Sequence, residues 1–467
     1  MRKNNKQNPH DQLNSLEKRA AFSLSGIYSL RMLGLFMIFP VFSLYAQELE
    51  GNTELLTGIA IGIYGLTQAI FQIPYGLLSD RLGRKPLMIL GMLIFAIGSL
   101  IAGMADNIYT VIIGRAIQGS GAIAAVVMAL AADLTREQHR LKIMAFIGMS
   151  IGMSFAVAMV AGSLLNELIG VDGIFYLIAF LALLGIPIII YLVPKVEKQK
   201  RHRDAETVPS QITAMLADQQ LVRLDIGIYI LHMVLTANFI VLPMVLVNEQ
   251  WANLPSGDHW MIYLPVFVLS IGLMVPFIIQ AESKRRMKPV FIGAILVLAL
   301  SELGFWNFYE SIYGVSLFLL IFFTAFNLLE ASLPSLVAKI APAENKGTAM
   351  GVYSTSQFLG AFSGGIVGGQ LLGVYGVEGV FLFSSFALLV WFMVAFSMKN
   401  PRYLSNYVVS VENANEQNKI QITKQLTEVS GVAEAIVMVE EGEAFLKVEL
   451  HALEYDKLHT ISEQYSN

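Results

Sequence analysis

Gly76-Leu-Leu-Ser-Asp80-Arg81-Leu-Gly83-Arg84-Lys85 sets four charged residues within six positions, and apolar sequence runs away from it on both sides. Residues 55–79 before it and 86–104 after it are each long enough to span a bilayer, which takes about 20 apolar helical residues. Only 14% of the 467 residues are charged and 55% are hydrophobic, whereas a soluble domain carries about 25% charge. A short charged hinge between two crossing helices is thus the unit to follow through the chain.

Followed on that length, the sequence predicts spans near 20–46, 55–79, 86–104, 108–134, 142–167, 171–193, 224–248, 259–281, 288–308, 312–340, 346–373 and 376–398. The 31 Lys and Arg residues fall in register with them. The N-terminal segment holds five. Loops 2–3, 4–5, 6–7, 8–9 and 10–11 hold three, three, six, four and two, and the tail from Lys399 holds six. Arg31 and Arg115 lie inside spans, and the other six loops hold none. Basic residues stay on the cytoplasmic side, so twelve crossings with both termini cytoplasmic is the reading.

The two halves resemble each other. Gly170-Val-Asp-Gly-Ile-Phe175 opens span 6, and Gly376-Val-Glu-Gly-Val-Phe381 opens span 12. Ser79-Asp-Arg-Leu-Gly-Arg-Lys-Pro86 in loop 2–3 is matched by Glu282-Ser-Lys-Arg-Arg-Met-Lys-Pro289 in loop 8–9. Parallel six-span repeats are the plan of one large transporter class. The expected divisions are an N-terminal segment 1–19, a first half 20–193, a linker 194–223 with an interfacial helix at Ser210–Ala217, a second half 224–398 and a tail 399–467.

The tail changes pattern. Tyr403–Val411, Ala433–Val439 and Ala444–Leu450 read as strands, the last two about a turn at Glu440-Glu-Gly-Glu443; Lys419–Val429 and Leu453–Gln464 read as helices. That order, β-α-β-β-α, predicts a small ferredoxin-like α+β domain without its last strand.

Several classes are excluded. The net charge of −4 gives nucleic acid no purchase, and the absence of cysteine removes disulfides and thiolate metal sites, so no metal is expected. Met1–Arg19 is too polar for a signal-peptide core. No Gly-x-x-x-x-Gly-Lys-Ser/Thr loop occurs, which disfavours an ATP-driven pump, and no His/Asp/Glu set suits hydrolysis.

The opening stretch resembles the signature of the major facilitator superfamily, Gly-x-x-x-Asp-Arg-x-Gly-Arg-Arg/Lys, at every defined position. The resemblance implies a conformational latch of Gly76, Asp80, Arg81, Gly83, Arg84 and Lys85 that holds the outward-open state. In it Gly76 permits close helix approach, Asp80 faces the start of span 11 near Lys346-Gly-Thr348, and Arg84 pairs with Asp133. Arg115-Ala-Ile-Gln118-Gly119 resembles the span 4 element of drug/proton antiporters, whose arginine is associated with proton coupling; the alternative is an arginine buttressing helices 1 and 4. In span 5, Gly148, Gly152 and Gly162 suit the antiporter motif, but Ser163 replaces its proline. Together with Glu330, the run Lys346–Gln357 and the tail, these motifs are most similar to the YajR family of bacterial transporters. That implies an inner-membrane, efflux-type transporter with a cytoplasmic ferredoxin-like domain.

In this fold spans 1, 4, 7 and 10 line the central cavity, and each carries an ionisable residue: Arg31, Arg115, His232 and Glu330. A buried charge costs from about 3 to more than 10 kcal/mol, so such groups face a cavity or a partner. Arg31 and Glu330 lie about 15 Å from the ends of their spans, near the midplane. Glu330 is the first candidate for the coupling proton and His232 the second; a static Arg31–Glu330 ion pair is the alternative. Asp225, Glu249, Glu302 and Glu310 are expected near helix ends, in water. Met37, Tyr64, Gln118, Asn238, Phe239, Phe326, Asn327 and Gln357 are the candidates for lining a substrate cavity.

The expectation is a monomeric, proton-driven exporter of small amphipathic or hydrophobic molecules in the bacterial inner membrane, its partners the substrate, protons and the bilayer. The proton gradient is its only energy source, with no cofactor, and it is not an enzyme. Nutrient uptake or facilitated diffusion, which Ser163 favours, and a sensor gated by the tail are the alternatives. Docking of the acidic turn (Glu440, Glu441, Glu443) on the basic loops Arg136–Lys142 and Lys284–Lys288 would let the tail gate the pathway.

Overall fold

A computed structural model describes residues 13–195, 208–342, 345–400, 405–439, 442–449 and 452–466. Residues 1–338 with 344–399 form one compact unit, and 339–343 with 400–467 another. Glu440, Glu441 and the linker charges from Glu197 to Glu206 lie outside the described residues.

The larger unit is helical: α1 (Ser15–Phe36), α2 (Phe42–Tyr45), α3 (Glu54–Leu82), α4 (Arg84–Gly103), α5 (Ile108–Ser120), α6 (Ala124–Asp133), α7 (Glu137–Pro187), α8 (Ile212–Ala217), α9 (Gln219–Val247), α10 (Trp260–Glu282), α11 (Met287–Phe308), α12 (Ile312–Ile340) and α13 (Lys346–Phe396). Nine segments among the described residues are long and apolar enough to cross a membrane, and two of them have 51 residues. At 1.5 Å per residue each of those two is more than twice the thickness of the hydrocarbon core, so each crosses twice. With α1 the total is twelve crossings.

The two long helices fold back at matching positions. Gly170 in α7 and Gly376 in α13 both have φ of +67°, a left-handed conformation that glycine adopts without Cβ strain. These glycines open the two repeated sequence motifs, so the internal repeat is a repeated hairpin. Two spans are less regular than the sequence predicts. Span 1 leaves the helix after Phe36 and turns through Pro40 before α2, because proline cannot donate to an ongoing helix. Span 4 breaks between α5 and α6 at Gly121-Ala122-Ile123, where Gly121 packs against the backbone of Gly91.

Burial sorts the helices by environment. The apolar stretch of α9 is 83% buried and that of α10 only 28%, so α9 sits inside the bundle while α10 faces lipid. Lipid gives apolar faces no reason to leave it, so the bundle relies on close packing of small residues. Gly360 and Gly364 of α13 lie against the backbone of Tyr229 and Met233 in α9. Another set from the same helix, Gly365 and Gly369, packs on Gly58, Gly62 and Glu54 of α3, joining the halves.

The smaller unit holds β1 (Ser405–Ser410), α14 (Lys419–Thr427), β2 (Val432–Met438), β3 (Glu443–Val448) and α15 (Tyr455–Ser466). Its sheet order is β1-β3-β2, antiparallel at both junctions. β1 and β2 therefore run parallel with β3 between them, the split β-α-β arrangement of a ferredoxin-like fold. Val409, Ile422, Leu426, Val437, Leu446, Val448 and Leu458 form its core.

Candidate functional site

Four polar clusters of the larger unit bear on the site. The first is the opening stretch of the sequence. Gly83, with φ of +95°, ends α3 and starts α4 within one residue. That sharp turn brings Arg84 back over the last turn of α3, where it binds Asp80 and donates to Ser79 Oγ at 2.6 Å. Its Nε donates to Asp133 Oδ2 at 3.2 Å, at the end of α6, and both side chains are buried. Lys85 donates to the Val193 carbonyl at 2.6 Å, while Arg81 is exposed.

Two latch contacts expected of the outward-open state are not made in this conformation. Asp80 takes Arg84 of its own loop as partner rather than the start of span 11. The nearest neighbour of a Cβ on Gly76 would be Ala125 Cβ at 3.5 Å, in the same half, so Gly76 is not at a close helix approach. The α3 glycines that meet the backbone of α13 are Gly58, Gly62 and Gly65, toward the end opposite Asp80.

In the first half, Arg31 and Arg115 flank Tyr64. Their guanidinium carbons lie 6.0 and 5.2 Å from its ring centroid. Arg115 donates to Gln118 Oε1 at 2.8 Å and to the carbonyls of Ala60 and Ile61 at 3.4 Å, and Gln118 passes the link to Ser99 at 2.7 Å. Gln118 is fully buried in this ladder. Arg31 Nη2 donates to Tyr64 Oη at 3.0 Å and to Gln68 Oε1 at 2.5 Å.

In the second half, Glu330 Oε1 accepts from Gln357 Nε2 at 3.3 Å. The same amide nitrogen is 2.8 Å from His232 Nε2, and Glu330 Oε2 is 4.0 Å from that ring nitrogen. Three helices, α9, α12 and α13, thus converge on one carboxylate. Its side chain is 37% exposed, while Oε2 is buried and has no hydrogen-bond partner. Arg31 is bound within its own half and Glu330 within the other, so the static Arg31–Glu330 pair is absent.

The fourth cluster escaped the sequence reading. Glu302, expected in water near a helix end, is fully buried and accepts from Asn238 Nδ2 at 2.7 Å. Asp225, given the same expectation, is only 8% exposed, while Glu249 and Glu310 are exposed. A helix end meets water only if its neighbours end at the same height. Around Glu302, Leu298, Ala299 and Phe305 on the same face of its helix are fully buried, so that face packs into the bundle while Leu300, Leu303 and Trp306 on the other stay exposed.

The other cavity candidates also differ in exposure. Asn327, bound to Ser270 at 3.1 Å, and Gln357 are half-buried. Met37, Tyr64, Asn238, Phe239 and Phe326 are buried. Phe239 and Phe326 belong to a ring cluster around Phe155, which stands 6.4 and 6.5 Å from them, 5.5 Å from Phe267 and 5.9 Å from Phe323. This cluster joins the halves just beyond Glu330, since Phe326 precedes it by one helical turn.

Twelve crossings in two similar halves, a charged hinge and a midplane carboxylate define a secondary transporter fold. The chain belongs to the Major Facilitator Superfamily, which it matches over residues 24–361 and 226–428. It is 47% identical over 440 residues to the inner membrane transport protein YajR of Escherichia coli strain K12, covering 93% of this chain and 94% of that one. The multidrug resistance protein MdtH of Yersinia pestis is 25% identical over 73% of this chain and 83% of its own. Among solved structures, a bacterial homologue of the human lysosomal transporter Spinster, inward-facing and occupied, superposes with a TM-score of 0.69 at 12% identity, covering 82% of this chain and 97% of that one.

Proposed function

We propose that this transporter exports small amphipathic molecules in exchange for protons, with Glu330 as the proton carrier and His232 beside it. The observation that carries the reading is the Glu330–Gln357–His232 cluster, a partly exposed carboxylate at the midplane with no Lys or Arg among its partners. An ionised carboxylate resists enclosure in a dehydrated bundle. Taking up a proton removes that resistance, so the halves close around Glu330 only once it is neutral. Conformation and protonation are thereby coupled.

With the basic loops on the cytoplasmic side, residues 13–19 and Lys399 lie there too. The closed ends of α3 and α13 then face outward, and the conformation is inward-open. The latch of Arg84 with Asp80 and Asp133 would then cross to the other half when the protein turns outward. The 25% identity to a multidrug resistance protein supports export as the direction.

Reconstituted protein should move dyes from a panel of either charge several-fold faster when a pH gradient is imposed. Glu330→Gln should lose that acceleration while retaining dye exchange without a gradient. Equal rates with and without the gradient in the unaltered protein would sink proton coupling.

A further inference from the structure

The charges of the membrane interior are segregated by half. Inside the first half lie Arg31 and Arg115, and its acidic residues, Glu54, Asp80, Asp133, Glu167 and Asp172 among them, sit at helix ends or in loops. Inside the second half lie Asp225, Glu302 and Glu330, with no Lys or Arg between Arg223 and Lys284, between Lys288 and Lys339, or between Lys346 and Lys399. The two arginines differ in how they are satisfied. All three nitrogens of Arg115 donate to oxygens of its own half.

Arg31 is also fully buried, but its Nε and Nη1 have no partner. Beside it, Gln68 must turn its oxygen to the guanidinium, which leaves Nε2 as a third bare donor. The bare acceptor nearby along α3, Gln72 Oε1, is neutral. Neutral acceptors, water included, satisfy hydrogen bonds but leave a buried cation uncompensated, and an anion does both. The rings of Tyr64 and Phe95, 6.0 and 5.7 Å from the guanidinium carbon, give such an anion apolar surroundings.

We propose that Arg31 and Gln68 form a binding site for the acid group of a small amphipathic ligand, a carboxylate or sulfonate. On the export reading this ligand is the cargo. The labour then divides between the halves: the first takes the anion and the second takes the proton. Arg115 is a positioning residue, holding Tyr64 against Arg31.

The test uses the full chain in lipid nanodiscs and two fluorescent probes of one aromatic size, 1-naphthoate and 1-naphthylmethylammonium. Naphthoate should bind about tenfold or more tightly than the ammonium, as expected for a charge-assisted fork. Arg31→Gln should abolish that preference and Gln68→Leu should weaken naphthoate several-fold. Arg31→Lys keeps the charge without the fork, and should keep the preference at reduced affinity; it serves if Arg31→Gln fails to fold.

Equal binding of the two probes, no binding of naphthoate, or naphthoate binding unchanged in Arg31→Gln would each overturn the proposal. So would stabilisation by chloride with no response to naphthoate, which would make this a site for an inorganic anion only. Binding is read without a gradient, so a failure of proton coupling leaves the result standing. Conversely, proton-driven dye export by a protein that ignores naphthoate would refute the anion site alone.

Discussion

Gly58 of α3 and Gly365 of α13 lie backbone to backbone, so that a Cβ on either would collide with the carbonyl oxygen of the other. The contact holds the halves together at the end opposite the Asp80 loop, and any side chain must push them apart there. Gly58→Val should therefore bias the protein toward the conformation open at that end. The chain has no cysteine, so spin labels at Leu82→Cys and Ser283→Cys can report the separation at the Asp80 end without a background. The labels should move closer in Gly58→Val. An unchanged distance distribution would mean that this contact does not select the conformation.

Arg84 and Asp133 form a buried pair with side chains 3% and 0% exposed. Arg84 also binds Asp80, so removing Asp133 takes from the buried guanidinium one of two carboxylate partners, a loss smaller than the about 3 kcal/mol of a pair fully broken. Asp133→Asn should lower the melting temperature of the detergent-solubilised protein markedly. Arg84→Met leaves the fully buried Asp133 without that counter-ion and should cost more than Asp133→Asn, and adding Asp133→Leu should recover much of the difference, since Asp80 is partly exposed. A double variant as unstable as Arg84→Met alone would contradict the role given to the pair.

Most of the fold was legible because its signals are long. Twenty-residue apolar runs, basic residues on one side and two copies of a Gly-Val-acid-Gly motif each constrain many positions at once. The site was legible only as a set of residues. His232 and Glu330 were readable as charges inside spans, but the amide of Gln357 between them depends on the rotation of three helices. The buried state of Glu302 was hidden for the same reason, since distance from a helix end says nothing of what packs beside it. The expected contact of Asp80 with the start of span 11 belongs to the outward-open state, and here Asp80 binds Arg84 of its own loop.

Glu17 gives the clearest pH dependence outside the membrane. It caps its own helix with Asn14 and accepts both arms of Arg136, Nε at 2.9 Å and Nη2 at 2.9 Å. Burial alone would raise its acid strength threshold, but the hydrogen bonds from Arg136 and Asn14 outweigh it and hold the carboxyl at about 2, below the ordinary 4.5. A depressed carboxyl stabilises the fold above its unfolded value and ceases to do so as the pH falls through its folded one. The melting temperature should thus exceed that of Glu17→Gln by a constant margin above pH 5. The margin should shrink as pH falls from 4.5 toward 2. A margin independent of pH would show that the carboxylate charge contributes nothing.

Asn238 and Glu302 allow a sharper test, because the two residues are buried and depend on each other. Asn238 Nδ2 donates to Glu302 Oε1 at 2.7 Å, and Glu302 Oε2 has no partner. Asn238→Leu takes away the donor and leaves a carboxyl group buried with nothing to bind. The expected loss is about 2 kcal/mol, the usual consequence of stranding one buried polar partner. Glu302→Gln keeps an acceptor in place and should cost little. Replacing both by leucine removes every polar atom of the pair, so the double variant should be more stable than Asn238→Leu alone. Thermal unfolding of the unaltered protein, Asn238→Leu, Glu302→Leu and the double variant in one detergent measures the coupling directly. Strictly additive losses would mean that the hydrogen bond is not what holds Glu302 inside the bundle. If additivity failed and transport still tracked Glu302→Gln, the carboxylate would carry a functional proton as well as a structural bond.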